Sequence, residues 1–544
     1  MGLWLQVFGV GAVTWMLQKL FGAYFHRTTL DDVPGPPPPS FFTGHFGELM
    51  SMDSWAFLDN LADNYGGVVK LQALLGSKFL YVSDPVALHT MFVKEPNNFE
   101  ESEEFLIGNQ LLFGPGLAAA SGEAHRKQRK FLNPAFAPQH IRQLSPVFFQ
   151  VGETLRSAIA AQVRDGPKDV NIAAWTGRAA LEVIGQGAMG HSMDPLVDEV
   201  SSEHAVALRS LMPGVFAVAL HWFFIPWSVY LGPPKFRRWL LDMYPNKKAQ
   251  QLKNIVDTVW NTSVSVVGRR RAAMERGEQA VNRLVGGGKD IMSLLLQANM
   301  DASEEDRIPD EQLVAQVNTI IFAASDTTSN ALARILHTLV VHPEAQQKLR
   351  TEFEQFRNSG DELTYDRLIE LPYLDAIVRE TLRVHPPVNS MDRTVLQDTV
   401  LPLSKPITGV RGNLIREVAV TKGTALSLGI YAYNRSKDIW GEDAKQWKPE
   451  RWLQPLPESA RNAQSGGVFY NLMTFAGGPR SCIGFKYAEL EIKTFLFHLI
   501  ESFRFSPGKS EFVWNSSFTV FPSLTKESTK PEMPLRVEMI RNVA

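Results

Sequence analysis

The chain holds one cysteine, Cys482, within Phe475-Ala-Gly-Gly-Pro-Arg-Ser-Cys-Ile-Gly484, an F-x-x-G-x-R-x-C-x-G pattern. A single cysteine excludes an intrachain disulfide, a multi-cysteine zinc site and an iron–sulfur cluster held by this chain alone. A lone cysteine is ordinarily a small buried hydrophobe. Here, however, it is one of five fixed positions, a coincidence expected in on the order of one in ten thousand chains of this length. The following run, IGFKYAELEIKTFLFHLI, carries Ile483, Tyr487, Leu490, Phe495 and Leu499 at helical spacing. That spacing predicts a helix whose N-terminus lies at or just after Cys482. The helix dipole and free N–H groups there favour a thiolate. Gly478 and Gly484 let backbone approach a bulky planar partner, and Arg480 offers a planar fork for a carboxylate. Thiolate, glycines and carboxylate clamp together predict a cradle for haem.

Three other runs place reactive side chains at fixed spacing, and each names the element that must position them. Pro309-Asp310 opens EQLVAQVNTIIFAASDTTSNALARILHTLVVH, closed by Pro343. It predicts one helix of roughly 50 Å at about 1.5 Å per residue. Near its midpoint stands Ala323-Ala324-Ser325-Asp326-Thr327-Thr328, whose hydroxyls can bond the i−4 carbonyls, bend the helix and open a groove for water and dioxygen. Glu380-Thr-Leu-Arg383, in LPYLDAIVRETLRVHPP, sets acid and base on one helical face, and Pro-Glu-Arg451-Trp follows at 449–452. Gly122-Glu-Ala-His-Arg-Lys-Gln-Arg-Lys130 gathers cations around His125 and Arg129; such a run by itself reads as a solvated charged face.

In this order, from residue 125 to 484, the motifs resemble those of the haem-thiolate monooxygenases, the cytochrome P-450 family, over essentially the whole chain from about residue 34. The resemblance implies a fold that is mainly α with a small β-sheet region (α+β), as a single large haem domain. It implies haem b, with Cys482 the axial iron ligand and Phe475, Gly478 and Gly484 shaping its loop. Arg480, Arg129 and Arg393 become propionate contacts, as does His125, which replaces the family's tryptophan. Thr327 becomes the hydrogen-bond partner of bound dioxygen and Asp326 the gate for protons, with Ala324 where the family often has glycine. Glu380, Arg383 and Arg451 become a structural charge network. Arg126, Lys127 and Lys130 are left facing outward, suited to an acidic reductase domain. Phrases such as GEAHRKQRKFLNPAF look most like fungal microsomal members that decorate natural products, often terpenoids.

The whole chain has 544 residues, 44% hydrophobic and 21% charged, with a formal charge of −2. This is a globular composition without the basic excess that nucleic acid requires. Residues 1–25 read as a transmembrane anchor with Lys19, His26 and Arg27 after the apolar run. The positive-inside rule then leaves the body on the cytosolic face of the endoplasmic reticulum. The sequons at Asn261, Asn434 and Asn515 would stay unglycosylated there. Residues 26–45, with five prolines in Val33–Ser40, read as a hinge, and 46–544 as the haem domain. A second apolar stretch, Gly214 to Leu231, is expected either to dip into the membrane surface or to form a buried helix pair. TVLPLSKPITG and EVAVTKGTALSLGIYAYN predict strands. No nucleotide, zinc-protease or serine-hydrolase motif is present, so electrons must come from another protein, which the resemblance implies is an NADPH-dependent flavoprotein reductase. Phe99 to Leu117, Val206 to Phe224 and the long helix near Phe322 and Ala323 are expected to line a pocket for a lipophilic small molecule. The rival reading is a membrane-tethered haem protein that binds or isomerises its ligand without inserting oxygen; Asp326-Thr327-Thr328 disfavours it.

Overall fold

The computed structural model describes residues 28–540 except 198–202, 219–220, 222–223, 277–288 and 306. The anchor expected over 1–25 lies outside the described residues. No helix among the described residues is long and apolar enough to cross a membrane.

Helices make up most of the body. In chain order those that position the site are α1 (Trp55–Asn64), α2 (Gly122–Leu132), α3 (Pro138–Gln162), α4 (Ile172–Met189), α5 (Glu203–Ala217), α6 (Lys247–Glu275), α7 (Asp310–Val341), α8 (Pro343–Asn358), α9 (Pro372–Val384) and α10 (Phe485–Ser502). The central one is α7. Asp310 and Glu311 occupy its first turn, where the helix dipole favours negative charge. At the other end His342 leaves the helical conformation and Pro343 begins α8, a position that tolerates proline because its N–H would have no partner. Leu313 to Ile321 and Thr328 to Val340 are buried on most faces, the pattern of a helix surrounded by others. Accordingly α7 packs on α4, α6, α9 and α10.

The main sheet joins β1 (Val68–Gln72), β2 (Lys78–Val82), β3 (Phe99–Glu100), β5 (Ser390–Val395) and β8 (Ala425–Gly429) in the order β1-β2-β8-β5-β3. β2 and β8 run parallel with Phe79 opposite Ala425, and the other neighbours are antiparallel, with Arg393 opposite Leu426. A smaller sheet has the order β11 (Phe503–Pro507), β14 (Pro534–Met539), β4 (Lys168–Asn171). Three two-stranded ribbons remain: β6 (Thr399–Thr408) with β7 (Leu414–Val420), β9 (Gly467–Phe469) with β10 (Leu472–Gly477), and β12 (Val513–Asn515) with β13 (Phe521–Ser523). The mainly helical body with small sheets agrees with the expected fold class.

The proline-rich segment is seated on the sheet from residue 28 onward. Leu30 and Val33 are buried, Lys70 N–H donates to the Pro34 carbonyl at 2.8 Å, and a Cβ on Gly35 would meet the Lys70 oxygen at 1.9 Å.

Candidate active site

β10 delivers the chain to the cysteine loop, which then turns into α10. Gly478 makes the turn at φ +62, and a Cβ there would lie 2.5 Å from the Phe92 carbonyl oxygen; glycine is needed for both reasons. Cys482 N–H donates to the Phe475 carbonyl at 2.9 Å and closes the loop. The Phe475 ring is wedged between Phe469 and Phe485, at centroid distances of 5.0 and 6.1 Å. Gly484 is the N-cap of α10, two residues after Cys482. A Cβ on Gly484 would touch only Phe136, at 3.9 Å, so that flank of the loop is open. The Cys482 side chain is exposed although protein encloses it, which places it in the wall of an interior void. Burial pushes the Cys482 thiol up, and the Gly484 N–H and the Arg129 charge offset this only in part. A coordinated metal ion removes such a proton outright.

Beside the loop the structure gathers all four cationic or imidazole residues named from sequence. Arg129 donates to the Ser481 carbonyl at 2.6 Å, and Arg480 to the Ala120 carbonyl at 2.8 Å and to Glu100. Arg393 pairs with Glu101 at 2.6 Å, while its Nη2 is buried without a partner. His125 is buried, and desolvation with the neighbouring guanidinium charges takes its pKa to about 4. Burial pushes the Glu101 carboxyl up despite Arg393. Glu100 is pushed the same way by burial, but the Glu101 and Gly122 N–H groups and Arg480 outweigh it and hold it below its ordinary range. Neither glutamate was singled out in the sequence; a carboxylate pair facing Arg393 and Arg480 is visible only once β3, β5 and the cysteine loop converge. A group bearing carboxylates fits these donors, and a planar iron-bearing one fits the open thiol.

The polar step on α7 faces open space as well. Ala323 is exposed and Phe322 to Thr327 are at most partly buried, between fully buried flanks. Ser325 and Thr327 hydroxyls donate to the Ile321 and Ala323 carbonyls at 2.6 and 2.7 Å. These are the expected i−4 bonds, within a helix that stays continuous from Asp310 to Val341. Asp326 accepts from Asn330 at 3.4 Å and from the Thr519 hydroxyl, and burial pushes its carboxyl up. It lines a cleft with Phe322, Met212, Phe216, Thr519 and Phe521. Phe322 also stacks on Phe113 at 4.9 Å. The segments expected to line a pocket thus meet at Phe322. Thr519 and Phe521, from the β12–β13 hairpin, carried no signal because nothing in their spacing points to α7. The helix α2 bridges the two regions, since Arg129 holds the cysteine loop and Gln128 accepts from Gln316 of α7 at 2.7 Å.

Behind the loop, Glu380 and Arg383 form a fully buried fork, Nε and Nη2 each donating at 2.8 Å. Glu380 also accepts from Lys448 N–H and Trp452 Nε1, both at 2.9 Å, and lies 3.5 Å from Arg451 Nε. Arg383 donates onward to the Asn434 and Gln446 carbonyls. Asn434 bonds the Met473 N–H and the Thr474 hydroxyl, which donates to the Leu382 carbonyl. The network therefore grips β10, the strand that carries Phe475. Asn434 and Thr474 are the residues that sequence reasoning missed here; Thr474 stands next to Phe475, but a lone hydroxyl gives no spacing to read.

On the surface, Arg126, Lys127 and Lys130 of α2 are exposed. Phe224, Trp227, Tyr230 and Leu231 are exposed too, followed by Phe236 and Trp239. This overturns the buried-pair alternative for the end of the Gly214–Leu231 stretch: its side chains find no core to enter. Of the three sequons, Asn434 and Asn515 are buried.

Compared with known families, residues 34–530 match the one described as Cytochrome P450. The chain is 44% identical over 530 residues to Cytochrome P450 monooxygenase 91 of Postia placenta, covering 97% of this chain and 98% of the relative. It is 39% identical over 537 residues to a ganoderic acid synthetase of Ganoderma lucidum, covering 98% and 97%.

Proposed function

The chain belongs to the cytochrome P450 family of monooxygenases, whose members use haem held by a cysteine thiolate, and from this premise we propose that it inserts one oxygen atom from dioxygen into a lipophilic natural product. A terpenoid substrate is supported by the relative named for ganoderic acid. The observation that carries the reading is the pairing of one enclosed but open thiol with a polar step on the long helix α7.

Cys482 would hold the haem iron through its sulfur, with Phe475, Gly478 and Gly484 shaping the loop around it. Arg129, His125, Arg393 and Arg480 would hold the haem propionates, with Glu100 and Glu101 giving up or sharing Arg480 and Arg393. Bound haem supplies electron transfer and dioxygen activation, which the thiolate favours. The protein's part is placement and protons. The Thr327 hydroxyl, which donates to the Ala323 carbonyl at rest, rotates to donate into the groove, and its proton is replaced through Asp326, whose carboxyl burial pushes up. Phe113, Phe322 and Met212 exclude water and orient the substrate. Glu380, Arg383 and Arg451 act on none of these atoms; they fix the strand that feeds the loop.

Electrons come from an NADPH-dependent flavoprotein reductase docking on Arg126, Lys127 and Lys130. Residues 1–25 anchor the protein in the endoplasmic reticulum as a single-pass span with the domain facing the cytosol. The exposed Phe224–Leu231 patch rests on the same membrane. The test is turnover of lipophilic candidates with reductase, NADPH and isotopically labelled dioxygen. Label in the product supports the reading; product formed without label, or without NADPH and dioxygen, contradicts it and favours isomerisation.

A further inference from the structure

A second cavity, of about 340 Å³, takes no part in the chemistry above. Its walls include Trp55 of α1, Arg334 of α7, Tyr431 and Arg435 after β8, Trp514 of β12, and Lys526. Arg334 lies two turns beyond Thr327. Its guanidinium stacks on the Trp514 ring, 3.6 Å from the centroid. Among the described residues it makes no hydrogen bond or ion pair, and its Nε is buried unsatisfied. Burial takes its pKa down to about 9.

The surrounding charges cancel without it. Arg435 stacks on Tyr431 at 4.4 Å and lies 3.5 Å from Asp59. At the rim Lys526 pairs with Asp53. His337 and His385 face Arg334 but are neutral, since burial lowers the first to about 4 and the second further below its ordinary value. One uncompensated cation remains in the wall of a cavity, a costly arrangement unless an anion meets it. The ring behind it is fixed, since Trp514 Nε1 bonds His337 Nδ1 at 3.0 Å and its carbonyl accepts from Trp55 Nε1 at 2.8 Å. The fork is thus preorganised.

We propose that this chamber is a binding site for an organic carboxylate, held by the Arg334 fork and flanked by Trp55, Tyr431 and Trp514. Its volume is at the lower end of small-molecule pockets, about 300 Å³ upward, and many times the roughly 30 Å³ share of a water molecule, too large for a simple inorganic anion. The aromatic walls suit an apolar body attached to the acid. Met52 lines both this chamber and the cleft beside Asp326. A substrate carrying its own acid group would place its head on Arg334 and its body past Met52; a separate small acid would sit wholly in the chamber. The site stands whichever reaction the haem performs.

The test titrates the full-length holoprotein with decanoate, benzoate, decanol, benzyl alcohol and inorganic phosphate, following heat release and melting temperature. A carboxylate binds at least about tenfold tighter than its matched alcohol, because a charge-assisted bidentate pair forms only with the acid. Arg334→Leu loses that discrimination and, without ligand, melts no lower than wild type because an unpaired buried cation is gone. Arg334→Lys, which keeps charge but loses the stacked fork, retains part of the discrimination and serves if the leucine variant does not fold. A haem absorption change with decanoate but not benzoate assigns the site to the substrate's own acid; stabilisation without it assigns the site to a separate acid. Either supports the proposal. Equal binding of acid and alcohol, phosphate binding as tightly as the carboxylates, or full discrimination in Arg334→Leu overturns it.

Discussion

Two carboxylates, the buried Glu380 and the partly buried Asp326, belong to regions built in opposite ways. Glu380 receives donors from Arg383, Lys448 and Trp452, with Arg451 beside it, and the chain of bonds continues through Asn434 and Thr474 to the cysteine loop. Asp326 has two donors, one of them on a distant hairpin, and stands beside a cleft. The first region spends charge on holding one geometry; the second leaves polar groups in reach of whatever enters. Placement of the cofactor and handling of the substrate are therefore separable, and variants on each side should fail differently.

The largest separation is expected from Glu380→Ala. It leaves the buried Arg383 without its carboxylate and costs about 3–5 kcal/mol, so purified protein should lack bound haem; a normal haem-to-protein ratio would break the distinction. Thr327→Ala should fold and bind haem normally, yet form product on the order of tenfold less per NADPH, measured as product and peroxide against NADPH consumed. Unchanged coupling would remove Thr327 from proton delivery.

The first region was readable in the sequence and the second only in part, for a physical reason. A charge network and a thiolate loop need particular residue types at fixed short spacings, so Glu380–Arg383 and Phe475–Cys482 announce themselves. The long α7 announced itself through its bounding prolines. A cleft needs only apolar bulk from remote segments. Phe322 was legible from its place beside Ala323, but Thr519 and Phe521 reach it from a hairpin nearly two hundred residues away in sequence. Glu100 and Glu101 were missed similarly, since acids in a short edge strand read as solvated charge until β5 brings Arg393 to them. At the thiol, burial acts against the charged form while the Gly484 N–H and the Arg129 guanidinium act for it.

Two smaller effects sharpen the contrast. Reversing Lys127 and Lys130 to glutamate should slow haem reduction by the reductase about tenfold at low salt, with haem content intact; stopped-flow reduction checks it, and an unchanged rate would move the docking face elsewhere. Thr519→Val removes a hydrogen bond worth about 1 kcal/mol and a group that lowers the Asp326 pKa. Asp326 then titrates at higher pH, so the acidic limb of the pH–turnover curve should move upward, while haem content stays normal. A curve that does not move would uncouple Asp326 from the proton path.

The central claim is that Cys482 binds haem iron as a thiolate. The direct measurement is the absorption spectrum of the dithionite-reduced, carbon monoxide-treated protein beside that of Cys482→Ser. The account predicts a Soret band displaced far to the red of the histidine-ligated position, and its loss in the variant. An undisplaced band in folded, haem-loaded wild type, or a displaced band that survives in Cys482→Ser, would contradict it.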